Sequence, residues 1–161
     1  MKVLAAIDGS PCSSAVTDEI MSRPWPKDTE VKILTAVEGT VPFTPDTWAL
    51  DEVYLDRLDR NAVHEAEVVI DKAMERLESR PHPDFKISRE IMKGLARDVI
   101  LSEAEQWEAD LILIGSHGYH GFQRLMHGSV SQAIASHGKC SVEIVRCPKT
   151  AEQSPSAGIS H

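Results

Sequence analysis

The first residues form an unbroken apolar run, Val3 to Ile7, that stops at Asp8-Gly9-Ser10-Pro11. A run without alternation predicts a strand covered on both faces, as in a parallel sheet. Ser10 followed by Pro11 predicts a helix start, because proline in the first turn gives up an N–H that has no intrahelical partner there. That helix continues through Ala15, Val16 and Ile20 and ends before Pro24, and Val31 to Val37 predicts a second strand. Strand, helix, strand in this length is a right-handed βαβ unit. Residues 38 to 47 carry Gly39, Pro42 and Pro45 and predict a loop, with Trp48 just beyond.

From Trp48 to Ser79 apolar positions recur in steps of three and four: Leu55, Leu58, Ala62, Ala66, Val69, Ala73 and Leu77. This spacing puts them on one face of a long helix, with Asp and Glu filling much of the solvated remainder. Pro81 and Pro83 stop it. Phe85, Ile87 and Ile91 alternate with polar residues and predict a third, more exposed strand at a sheet edge. Gly94 turns the chain into a helix with the stripe Ala96, Val99, Ile100, Ala104 and Trp107. Asp110-Leu111-Ile112-Leu113-Ile114 is the most apolar strand and is expected at the centre. A glycine-rich loop, a helix over Ser129–His137 and a strand over 142–145 complete the pattern. The tail from Pro148 has a composition that predicts disorder, leaving one domain over 1–147 and a tail over 148–161.

Alternation of strands and helices predicts an α/β fold, a single-domain Rossmann-like doubly wound parallel sheet of five strands. Ligands of such sheets lie beyond the carboxyl ends of the strands, near a topological switch point. Asp8 and Gly115 each end a different predicted strand.

Composition narrows the function classes. With 161 residues, 42% of them hydrophobic and 26% charged, the chain has enough apolar material for one core. A formal net charge of -8 argues against a general nucleic-acid binder, which needs a basic surface to displace counterions. The N-terminal apolar run is too short for a signal peptide or a membrane span. Three cysteines, Cys12, Cys140 and Cys147, lack metal-ligand or CxxC spacing. That sparse, odd count fits a reducing, cytoplasmic setting with Cys12 and Cys140 as small packing residues, rather than a disulfide framework.

The candidate chemistry lies in the segment from Gly115 to Ser129, which leaves the central strand and enters a helix. Glycines let backbone amides approach a ligand closely. Gly128 and Ser129 place a helix N-terminus where its dipole favours an anion. The Ser129 hydroxyl either donates to a phosphate or caps its own helix. Neither GxxxxGK[ST] nor GxGxxG is present. The glycine-rich connection therefore reads either as an anion site or as a tight structural link. Arg124 is a possible phosphate contact or a surface ion pair. His117 is given no catalytic role, and His120 and His127 are surface or packing residues, or added positive charge at low pH. Asp8 suits either a strand-end turn or a ligand contact.

Gly115, two residues, Gly118, nine residues and Gly128-Ser129 together resemble the nucleotide-binding motif of ATP-binding universal stress proteins. The opening Ile7-Asp8-Gly9-Ser10, Gly94-x-Ala96, the run Asp110 to Gly118, and Cys140 to Arg146 are also similar to that family, in the same order. The resemblance implies strand order 3-2-1-4-5 and a homodimer through the last strand, at Val142 and Ile144. It implies nucleotide contacts from Asp8, Ala36, Ile114, Gly115, Gly118, Gly128, Ser129 and Val130. The implied ligand is ATP, or AMP or ADP, with Mg²⁺ or Mn²⁺ expected beside a triphosphate. The expected function is a dimeric stress-response sensor or regulator, without a membrane partner. A slow ATPase, a phosphoryl- or adenylyl-transferring enzyme and a nucleotide-free scaffold are the alternatives. No Walker aspartate–lysine set or general base is apparent, so no catalytic residue is assigned.

Overall fold

The structure, a computed structural model, describes residues 1–39, 52–79, 85–117 and 128–147. Its elements run in the order β1 (Lys2–Ala6), α1 (Pro11–Ser22), β2 (Thr29–Val37), α2 (Glu52–Glu78), β3 (Phe85–Lys93), α3 (Ala96–Gln106), β4 (Leu111–Gly115), α4 (Ser129–His137) and β5 (Ser141–Val145). The five strands form one sheet in the order β3-β2-β1-β4-β5, and every pairing is parallel. Chain direction across the sheet reverses between β1 and β4, so the switch point lies between those strands.

The central strands are buried on both sides because their side chains serve two cores. Val3, Ala5, Ile7, Leu111 and Leu113 pack into a cluster with Val16 and Ile20 of α1 and Ile70 of α2. Leu4, Ala6, Ile112 and Ile114 enter the opposite cluster, with Val99 and Ile100 of α3 and Ile134 of α4. This alternation makes an unbroken apolar sequence a two-sided strand. β3 lies at one edge, as its alternation predicts, and runs on to Lys93.

Predicted boundaries move by a residue or two: β2 begins at Thr29, and β4 ends on Gly115. The start expected for α2 at Trp48, the loop with Gly39, Pro42 and Pro45 beyond residue 39, and the tail 148–161 lie outside the described residues. On α2 the face is as read for Ala66, Ala73 and Leu77, but its most buried side chain is Ile70, at 1% exposure. Ile70 falls in the same three-and-four series, between Ala66 and Ala73, and burying such a side chain contributes about 2 kcal/mol.

At the amino end of α1, Ser10 is the N-cap and its Oγ accepts from the Ser13 amide at 3.3 Å. At the other end, Arg23 donates through Nη1 and Nη2 to both carboxylate oxygens of Glu143, at 2.9 and 2.6 Å. This fork-on-fork pair fastens α1 to the edge strand β5.

A strand-end cradle at the switch point

All four helices begin at the carboxyl end of the sheet, and the turn after β1 is set by its own side chains. Asp8 Oδ1 accepts from the Ser10 amide at 3.0 Å and from Ser13 Oγ at 2.6 Å, while the Asp8 amide donates to Ser13 Oγ at 2.8 Å. Gly9 takes φ 81°, and a Cβ there would approach Val69 Cγ2 to 2.8 Å. Glycine is thus required by both backbone and space. Asp8 itself is exposed, so its local turn role is compatible with facing a ligand.

Gly115 meets α1 from below. A Cβ at this position would lie 2.6 Å from Cys12 Cβ, so glycine here permits helix α1 to sit on β4. The chain then passes Ser116, whose carbonyl oxygen is a hub. It accepts the Gly128 amide at 2.8 Å and Ser131 Oγ at 3.3 Å, and Ser131 Oγ also reaches the Gly128 carbonyl at 3.0 Å. These bonds bring the two ends of segment 117–128 together. A Cβ on Gly128 would fall 3.2 Å from the Ser116 oxygen. Ser131 is 2% exposed and was not singled out in the sequence; its signal is a polar residue three positions before the buried Ile134 on one helix face.

The two helix N-termini on the α3–α4 side differ. Leu95 caps α3 without a side-chain bond, and the Ala96 amide instead donates to Glu38 Oε1 at 3.1 Å. A carboxylate from the end of β2 thus occupies the positive end of α3. At α4 the N-cap is Gly128, which has no side chain to offer the first-turn amides. Ser129 is exposed there, and Val130 is half-buried. Beside it, Ala36 and Val130 pack on the cluster that contains Ala6 and Ile114. The α4 N-terminus thus adjoins apolar side chains through Val130, a combination suited to an anion joined to a flat apolar group.

Gly115 ends β4, Gly128 and Ser129 open α4 against the Ser116 carbonyl, Asp8 follows β1, and Ala36, Ile114 and Val130 belong to or pack on one apolar cluster. Ile114 is 7% exposed, so its side chain is a core group. Gly118, His120, Arg124 and His127 lie outside the described residues. A separate groove of about 270 Å³ lies between α3 and α4, lined by residues such as Leu101, Ala109, His137 and Cys140. It sits at the amino ends of β4 and β5, away from the switch point, and has no part in the cradle.

The cysteines correct the sequence expectation. Cys12, read as a packing residue, is joined by a disulfide to Cys147, with Cα atoms 4.5 Å apart and a sequence separation of 135. The first turn of α1 and the end of β5 converge only in the fold, so spacing along the chain carried no sign of the bond. Cys140 remains a free thiol, as expected of a half-buried packing residue. Burial pushes its pKa up, and nearby Asp110 adds to the shift.

Architecture and site together define a doubly wound α/β protein with a strand-end cradle. Residues 1–146 match the Universal stress protein family, and the chain belongs to it. It is similar to universal stress protein YxiE of Bacillus subtilis, with 26% identity over 90% of this chain and 98% of that one. Matches with three other curated relatives span from 38% to 56% of those proteins' lengths. The fold superposes on universal stress protein UspA from Lactobacillus plantarum with a TM-score of 0.76, 25% identity, and coverage of 91% of this chain and 97% of that one. It also superposes on a family protein from Arabidopsis thaliana with AMP bound, with a TM-score of 0.57, 18% identity and coverage of 98% and 97%. Among the described residues no helix is long and apolar enough to cross a membrane.

Proposed function

We propose that this universal stress protein binds an adenine nucleotide, ATP foremost, in the cradle at the β1/β4 switch point and acts as a cytoplasmic regulator. The observation that carries this reading is the difference between the two neighbouring helix N-termini. Glu38 occupies that of α3, whereas α4 begins on Gly128 beside apolar side chains. Phosphates would meet the amides of Ser129 and Val130, and the base would lie along Ala36 and Val130, with Asp8 toward the ribose. Gly118 would allow close backbone approach, and Arg124 would face the phosphates. A bound Mg²⁺ or Mn²⁺ would offset triphosphate charge in an acidic chain. AMP bound to the Arabidopsis neighbour supports the ligand class.

Calorimetric titration with ATP, AMP and a cyclic nucleotide, each with Mg²⁺, tests this reading. Micromolar ATP binding is expected, with at least a tenfold loss in Gly118→Val at unchanged melting temperature and a similar loss in Asp8→Ala, which also gives up its bonds to the Ser10 amide and Ser13 Oγ and melts somewhat lower. Absence of binding by nucleotide-stripped, folded protein would make the glycine segment a structural link. Multiple-turnover phosphate release lost in the same variants would make the protein a slow ATPase instead.

The homodimer is proposed on β5, which is an edge strand with half-buried Val142 and Ile144. Edges with unpaired backbone groups are covered in stable proteins. Light scattering at micromolar concentration should give twice the 17.8 kDa chain mass. A value of one chain mass would rule the seam out.

A further inference from the structure

At the rim of the cradle three sulfur- and nitrogen-bearing side chains meet. Cys12 Sγ, Cys147 Sγ and a ring nitrogen of His117 all lie within 4.8 Å of one another. Ser116 Oγ stands among them, 3.8 Å from Cys12 Sγ, 4.0 Å from Cys147 Sγ and 3.1 Å from His117 Nδ1. Cys12 is 2% exposed and sits in the first turn of α1, where the positive end of the helix favours a thiolate. Cys147 is half-buried and lies just beyond the end of β5. A thiol at a helix N-terminus, a second thiol within bonding reach and polar neighbours are the features that separate redox-active cysteines from inert ones. Cys140 is at no helix N-terminus and has no bonded thiol partner.

We infer that Cys12 and Cys147 are a reversible thiol–disulfide centre whose substrate class is hydroperoxides and whose reductant is a dithiol. The chemistry follows from access. The more exposed Cys147 sulfur attacks the peroxide O–O bond, forming a sulfenic acid and releasing water, or an alcohol from an organic peroxide. The Cys12 sulfur then attacks the Cys147 sulfur. The S–O bond breaks, and the departing hydroxide takes the proton lost by the Cys12 thiol and leaves as water. Two thiols and one peroxide thus yield one disulfide and two waters, or one water and one alcohol. A dithiol reverses the bond by exchange through a mixed disulfide, itself becoming oxidised. The assignment stands on the Cys12, Cys147, Ser116 and His117 geometry alone and does not require nucleotide binding.

The test uses the full chain, reduced with dithiothreitol, desalted and exposed to one equivalent of hydrogen peroxide, followed by maleimide labelling and intact mass. The three cysteines of the reduced chain should give three adducts under denaturing labelling, and the oxidised chain one, on Cys140. Non-reducing peptide maps should show the Cys12–Cys147 link, and dithiothreitol should restore three adducts without denaturant. With dimedone present, Cys12→Ser should accumulate a sulfenic adduct on Cys147, and Cys147→Ser should accumulate at least tenfold less on Cys12. Three adducts after peroxide, a link through Cys140, or a bond that native-state dithiol cannot reduce would each overturn the inference. So would stoichiometric zinc uptake by the reduced protein that protects both thiols, which would make the cluster a metal site.

Discussion

Reducing the disulfide should lower the free energy of unfolding by on the order of 5 kcal/mol. The bond joins residues 135 apart, so it closes nearly the whole chain into a loop, and the chain-entropy treatment assigns loops of this length about that much. The effect acts chiefly on the unfolded state, whose freedom the crosslink removes, and leaves the sheet and its two cores in place. Urea melts with and without dithiothreitol measure it. The oxidised midpoint should be the higher, and Cys147→Ser should melt near the reduced protein in both buffers. Coincident wild-type curves would show that the crosslink adds nothing to stability.

Glu103→Ala should cost about 2 kcal/mol, because it strips a half-buried cation of its shortest charged partner. Lys32 on β2 donates to Glu103 Oε1 of α3 at 2.6 Å and to Glu90 Oε2 of β3 at 3.2 Å, and its Nζ lies 4.7 Å from the Trp107 ring centroid. Glu103 is 6% exposed, so the carboxylate was desolvated to reach this position. Burial alone would pull the Lys32 pKa down, but the hydrogen bonds it donates to Glu103 and Glu90 outweigh it and hold it above its ordinary 10.5. A raised folded-state pKa gives stability that is complete below the unfolded value and is lost as pH rises through the folded one. The wild type should therefore lose this contribution only above about pH 10.5, and Glu103→Ala should lack it at neutral pH. Replacing both partners, Lys32→Met with Glu103→Leu, should recover most of the loss, since a well-packed apolar pair has no charge to desolvate. Thermal melts of the single and double variants decide the point; equal loss in both would assign the cost to packing rather than to charge.

Much of the fold was legible because it rests on local chemistry. The apolar runs at Val3–Ile7 and Leu111–Ile114 could be covered on both faces only inside a parallel sheet, and their side chains do alternate between two cores. Ser10-Pro11 marked a helix start because capping is decided within four residues. The glycine spacing and its neighbours carried the family resemblance, and the family follows from residues 1–146. The parallel strand order β3-β2-β1-β4-β5 came with that resemblance and matches the sheet.

Contacts between residues far apart in the chain were decided only in three dimensions. Glu38 occupies the α3 N-terminus across 58 residues, Lys32 meets Glu103 across 71, and Arg23 reaches Glu143 across 120. None of these pairs has a spacing that could signal it. Gly115 appeared in the sequence as part of a ligand loop, while the packing shows that it also makes room for Cys12. The cysteine count suggested unpaired thiols, yet the fold brings the start of α1 to the end of β5 and joins Cys12 to Cys147. The sequence by itself determined which segments are strands and helices, and which of their faces are apolar, because those depend on neighbours within a few residues. Tertiary structure alone decided which charges, hydroxyls and sulfurs meet at the strand ends, because the sheet order brings distant segments to one place.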